Sequence, residues 1–169
     1  MEAPPTALYQ LKRLRKDIGN LDVIFISGLE GERTFGLPFL LAERALSRRT
    51  GRPLWVVGPR GIADYGMAQL RAAFPGMADE IAAQCRVKWE EVDDDFSRNQ
   101  LVAYLSIRLP GSGVAYRILV EGRALAYARD ALCRETHALL DRGADAWVLN
   151  SGEKPNITGD GLELCLAMA

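Results

Sequence analysis

Apolar and polar positions fall into blocks of two lengths along the chain. Short, mostly apolar runs stand at residues 22–27 (DVIFIS), 54–57 (LWVV), 114–120 (VAYRILV) and 146–149 (AWVL). Runs of this kind suit strands of a sheet covered on both faces. Longer segments carry apolar residues at helical spacing. Leu8, Leu11, Leu14 and Ile18 recur this way, with Lys12, Arg13, Arg15 and Lys16 between them. Leu37 to Arg49 carries Leu40, Leu41, Ala45 and Leu46, with Gly51 as a C-terminal cap and Pro53 just beyond. Met67–Phe74 and Met77–Cys85 also read as helices.

The first strand, the loop Gly28–Gly36, the helix from Leu37 and the strand LWVV make a unit of βαβ size. Such a unit implies a parallel sheet, with ligands outside the carboxyl ends of its strands. In the middle of the chain, residues 86–92 read as a strand and Asp93, Asp94 and Asp95 as a solvated acidic turn. Leu101–Leu109 holds strand formers, although a helix also fits. Pro110-Gly111-Ser112-Gly113 is a turn, so an antiparallel hairpin with Val114–Val120 is expected as an appendage to the parallel sheet. Ala124–Leu140 reads as a long helix ended by Asp141-Arg142-Gly143. A loop from Asn150 to Gly161 and an apolar helix from Leu162 close the chain, the helix holding one charge, Glu163. The reading is an α/β protein with a Rossmann-like, mainly parallel sheet, helices on both faces and an inserted hairpin region. Residues 1–169 are expected to form a single domain, with 1–20 as an N-terminal lead and helix.

Composition narrows the classes of function. With 49% hydrophobic and 25% charged residues over 169 positions, the chain reads as a soluble globular protein. The formal net charge of -1 offers no basic field for a nucleic-acid polymer and no polybasic membrane anchor. No apolar run approaches a membrane span and no signal peptide is visible, so a cytoplasmic location is expected. Cys85, Cys133 and Cys165 lack metal spacing and read as reduced thiols. A single histidine, His137, argues against a histidine-based metal site or a Ser-His-Asp triad. Trp55, Trp89 and Trp147 are expected in the core or an interface.

Two segments carry candidate chemistry. In Gly28–Gly36, glycines such as Gly28 and Gly31 let backbone approach a ligand, and the next helix offers its N-terminus to an anion. The loop matches neither GxGxxG nor the Walker A pattern. Arg33 here, and Arg60 after the second strand, are either surface arginines or phosphate contacts, since a guanidinium grips phosphate bidentately. The second segment is Gly159-Asp160-Gly161-Leu162-Glu163-Leu164. Glu163 is either a structural anion at a helix start or a reactive carboxylate at a pocket mouth.

The segments FISGLEGERTF, LAERAL and TGRPLWVVGP, with ADAWVLN and TGDGLELCLA at the other end, resemble the two ends of the nucleoside 2-deoxyribosyltransferase superfamily, which includes nucleotide N-glycosidases. Asp145 with AWVL matches that family's strand, and Gly159, Gly161, Glu163, Leu164 and Ala167 its helix start; residues 63–121 find no match and read as an elaboration. The resemblance implies cleavage or transfer of an N-glycosidic bond on a nucleoside or nucleotide. Glu163 would attack the anomeric carbon to form a covalent ester, as in retaining glycosidases, without metal or organic cofactor. Glu135 or His137 would handle the proton on the base, His137 standing where the family places an acid. Ser27, Gly28, Gly31, Arg33 and Arg60 would line the sugar or phosphate side, with Asn156, Thr158, Gly159 and Gly161 completing the pocket. The implied partner is a small nucleoside or nucleotide and the implied assembly a homo-oligomer. The rival expectations are a non-catalytic nucleotide-sensing domain of Rossmann-like build and an interaction subunit docking through its C-terminal helix.

Overall fold

The structure, a computed structural model, describes residues 1–47, 51–93, 95–98, 102–109, 113–128, 143–150 and 155–158. The chain divides into two compact units, Met1–Glu91 and Val92–Ala169.

In the first unit the run at 22–27 forms β1 (Val23–Phe25), paired in parallel with β2 (Trp55–Pro59) in the register Val23↔Trp55 to Phe25↔Val57. A tight turn cannot close a parallel pair, so the chain must cross over. The crossover holds a short helix α2 (Gly31–Thr34) and α3 (Leu37–Leu46). Pro38 sits in the first turn of α3, where its missing N–H costs no helix bond. Leu37, Leu40 and Leu41 share a helix face and are buried with Ile24, Ile26, Leu54 and Val56. Two further helices, α4 (Ile62–Ala73) and α5 (Ala78–Cys85), add Ile62, Leu70, Ala78, Ile81 and Cys85 to that core. β3 (Lys88–Val92) stands beside β2. The basic segment near the start forms α1 (Ala7–Arg13), where Leu8 and Leu11 rest on the core.

The second unit corrects the expected sheet. Its six strands are β4 (Asp95–Arg98), β5 (Ala103–Arg108), β6 (Val114–Val120), β7 (Arg123–Ala128), β8 (Ala146–Asn150) and β9 (Pro155–Thr158), paired in chain order. Only β7–β8 is parallel among these pairs; the others are antiparallel. The expected hairpin is present as β5–β6, closed by Leu109 N–H donating to the Gly113 carbonyl at 2.8 Å. It is an integral part of the sheet, not an appendage. The helix expected from Ala124 is, as far as Ala128, strand β7. Glu121 and Gly122 both have positive φ (50° and 79°), the backbone of a two-residue hairpin turn that returns β7 onto β6. That pairing overrides the high helix propensity of the alanines. The chain is α/β, as expected, but it is not Rossmann-like with a mainly parallel sheet. Trp147 is half-buried; its indole donates to the Ala144 carbonyl at 3.0 Å.

Two buried polar groups hold α3 in the first unit. Arg44 is fully buried; it donates from Nη1 to the carbonyls of Ile18 (3.3 Å) and Gly19 (2.8 Å) and from Nη2 to that of Arg52 (2.9 Å). Burial pulls its pKa below the ordinary value, against the opposing pull of Cys85 and Asp22. The Cys85 thiol, buried on α5, donates to the Leu41 carbonyl at 2.9 Å. Burial pushes its pKa up to about 11, against a smaller opposing effect of Arg44.

Arg44→Met leaves three carbonyls without their cationic donor. It is expected to lower the free energy of unfolding by about 3 kcal/mol, read as a shift of the urea midpoint at unchanged slope. Because the folded pKa of Cys85 lies above the unfolded value, the native state holds that proton longer. The resulting stability is present below the unfolded pKa and is lost as pH rises toward 11. Cys85→Ala is therefore expected to flatten the fall in stability over that alkaline window, measured as the difference between two urea-midpoint titrations.

Candidate functional site

Because β1 and β2 run in parallel, the loops leaving them emerge at one edge, where α/β folds place ligands. The two loops come close together: a Cβ on Gly61 would lie 3.7 Å from Leu29 Cδ1. Gly61 caps α4 at φ 86°, a conformation that suits glycine, and its N–H donates to Glu91 at 3.0 Å.

The loop after β1 is organised by charge. Arg33 on α2 is 7% exposed, and its Nη1 donates to Ser27 Oγ at 3.0 Å. Its Nε lies 3.2 Å from Glu30 Oε2, an ion-pair distance without hydrogen-bond alignment. The Ser27 hydroxyl donates in turn to Glu2, whose second carboxylate oxygen accepts the Ser27 N–H at 3.3 Å. Residues near the start of the chain are tied in by backbone: Glu2 N–H to the Phe25 carbonyl and Ala3 N–H to that of Arg33, both 2.7 Å. Thr34 is buried and links its hydroxyl to the Glu30 carbonyl (3.1 Å) and to Gln69 Nε2 (2.9 Å).

Of the residues expected at the site, the structure brings Ser27, Gly28, Gly31 and Arg33 together in this loop and puts Arg60 at the end of β2, on the same edge. Asn156 and Thr158 lie on β9, opposite Leu149 and Trp147. Glu163, Glu135, His137, Gly159 and Gly161, with the C-terminal helix, lie outside the described residues. Asp145, matched above to a family strand, accepts the Ala124 N–H at 2.6 Å and so fastens β7 to the start of β8. Sequence reasoning missed Glu2 and Glu30. Glu30 carried a signal, standing three residues before Arg33, the spacing of a helical ion pair. For Glu2 there was none, because its partners are brought to it only by the fold.

No protein-family model matches the chain. It is 31% identical over 104 residues to ribonuclease Z of Staphylococcus haemolyticus, a stretch that is 60% of this chain and 32% of the relative. It is 40% identical over 70 residues to ribonuclease BN of Salmonella paratyphi B, covering 38% of this chain and 23% of the relative. The chain thus spans about a third or less of the curated relatives it matches. Among solved structures it is similar to the short form of human tRNase Z, with a TM-score of 0.64 at 19% identity over 86% of this chain and 64% of that one. It is also similar to YhfI of Bacillus subtilis, a metallo-β-lactamase fold protein, with a TM-score of 0.60 at 13% identity over 86% of this chain and 55% of that one.

These likenesses overturn the resemblance to deoxyribosyltransferases and the N-glycosidic chemistry drawn from it, including the role of Glu163 as sugar nucleophile. The rival nucleotide-sensing and docking-subunit expectations find no better support. The expectation of a small nucleoside partner with no nucleic-acid polymer is likewise overturned, since the relatives are named as ribonucleases. Among the described residues no helix is long and apolar enough to cross a membrane.

A metallo-β-lactamase fold implies a metal, and among the described residues at the β1 edge the donor chemistry does not fit one. Among the described residues no three His, Cys, Asp or Glu side chains converge. The whole chain has one histidine, whereas protein zinc sites draw on several nitrogen, sulfur or carboxylate ligands. At the strand edge the Glu30 carboxylate already faces a guanidinium.

Two glycines limit what the loop tolerates. A Cβ on Gly36 would lie 2.0 Å from the Pro4 carbonyl oxygen, whereas one on Gly28 would meet only side-chain ends, Glu30 Oε2 at 2.3 Å and Arg33 Nη1 at 2.4 Å. Backbone gives way less readily than side-chain tips. Gly36→Ala is therefore expected to cost about 2 kcal/mol and Gly28→Ala less, with urea unfolding as the measurement.

Proposed function

We propose that this chain is a ribonuclease Z-like module that engages structured RNA of the transfer-RNA type. The observation that carries the reading is the 31% identity over 104 residues to a ribonuclease Z. The name of the human neighbour, tRNase Z, narrows the RNA class. The surface of the first unit carries a basic patch suited to a phosphate backbone. Lys12, Arg13, Arg15 and Lys16 are all exposed on and just after α1. Lys12 is paired with Glu43 at 2.9 Å, but an exposed pair contributes little and exchanges readily for phosphate. A net charge of -1 does not preclude such a local field. The second reading is phosphodiester cleavage by this chain itself, favoured by the names of its relatives.

One experiment tests both. Labelled transfer RNA is titrated with the protein across a salt series, and the same mixtures are run on a denaturing gel with and without divalent metal. Binding is expected to weaken with salt. The triple variant Lys12→Glu, Arg13→Glu, Arg15→Glu is expected to bind at least about tenfold more weakly, with a salt slope reduced by about three. Intact RNA throughout supports the binding module, and discrete fragments that form only in the presence of the protein support the second reading. The absence of both binding and cleavage would overturn the proposal.

A further inference from the structure

We infer that the positive charge at the carboxyl edge of β1 is supplied in cis by the Arg33 guanidinium, and that this edge therefore takes no divalent metal ion. The inference rests on the fold, not on the RNA reading. Four groups form one chain of contacts: Glu30 to Arg33 Nε at 3.2 Å, Arg33 Nη1 to Ser27 Oγ at 3.0 Å, and the Ser27 hydroxyl to Glu2. The cation lies between two carboxylates, one direct and one through a hydroxyl. Arg33 is buried, so its charge requires such partners, and the serine passes the charge on by donating to Glu2 while accepting from Arg33.

The fit is steric as well as electrostatic. Gly28 leaves open the space into which both Glu30 and Arg33 reach, since a Cβ there would come within 2.4 Å of each. The Ala3 N–H holds the Arg33 carbonyl, so the backbone carrying the guanidinium is pinned from a second side. A divalent cation added here would meet a like charge already seated between the two carboxylates. It would also find too few ligands, because no third His, Cys, Asp or Glu among the described residues converges on the site. The loop that closes the ligand edge is thus locked by an internal ion pair that chelators cannot remove.

The test uses the metal alone, without RNA, so that its outcome is independent of the function proposed above. The protein is purified without added metal, its zinc and manganese content is measured by elemental analysis, and its thermal midpoint is recorded with EDTA, zinc or manganese. Less than about a tenth of an equivalent of metal, and a midpoint unmoved by any of the three, are expected. Arg33→Met is expected to lower the midpoint by roughly 4 °C. Glu30→Gln in the Arg33→Met background is expected to cost less than in wild type, because its partner is already gone. Arg33→Lys, which keeps a charge, is expected to recover part of the loss. One equivalent of retained metal, or a metal-induced rise in the wild-type midpoint that Glu30→Gln abolishes, would overturn the inference. So would strict additivity of the Glu30 and Arg33 substitutions.

Discussion

The parallel pairing of β1 with β2 is the constraint from which the first unit follows. Parallel strands run the same way, so the chain must travel back along the sheet before it can pair again, and α3 is that return. The return brings Leu37, Leu40 and Leu41 onto the apolar strands and creates the core. It also sends both outgoing loops to one edge, which is why Leu29 and Gly61 lie near each other and why Arg33 and Arg60 share that edge. The second unit is built the opposite way. Tight turns such as Glu121-Gly122 keep successive strands antiparallel, and only the β7–β8 pair needs a longer connection.

Two buried arginines show how one residue type meets different demands. Arg44 donates to the main-chain carbonyls of Ile18, Gly19 and Arg52, so its role is to fasten segments of backbone. Arg33 is satisfied by side chains, a serine hydroxyl and a carboxylate, and so its role is to balance charge at the ligand edge. The difference follows from position: carbonyls cluster where chain segments meet inside the unit, whereas carboxylates remain near the rim where water tempers their desolvation.

Much of the first unit was legible in the sequence. The DVIFIS run, the glycine loop, the leucine-bearing helix and LWVV fall where the periodicity places them, because each element's pattern agrees with its tertiary role. The β5–β6 hairpin was legible from its Pro-Gly-Ser-Gly turn. β7 was not. Its alanines favour helix, and its strand state is imposed by pairing with β6 and β8 across a Glu-Gly turn that is a weaker hairpin signal than Asn-Gly. The loop residues Ser27, Gly28, Gly31 and Arg33 were legible as a cluster, but their chemistry was not. Two glycines ahead of a helix-start glutamate satisfy backbone and dipole requirements common to helix starts in many folds, so Gly-x-Gly-x-Glu discriminates poorly between families.

Net charge is a poor guide to a nucleic-acid partner for a physical reason. A formal charge of -1 is an average over 169 residues, while an approaching polyanion responds to the field within about 10 Å of the surface. Four cationic side chains within Lys12–Lys16 outnumber the acids beside them, Glu43 and Asp17, and leave a local positive field. At the strand edge the same reasoning works in reverse. There the carboxylates of Glu2 and Glu30 do not stand alone, because the buried Arg33 lies between them and offsets part of their charge from within. Charge has to be read at the scale of the interaction, and at that scale this chain presents cations on and just after α1 and an internally paired loop beside β1.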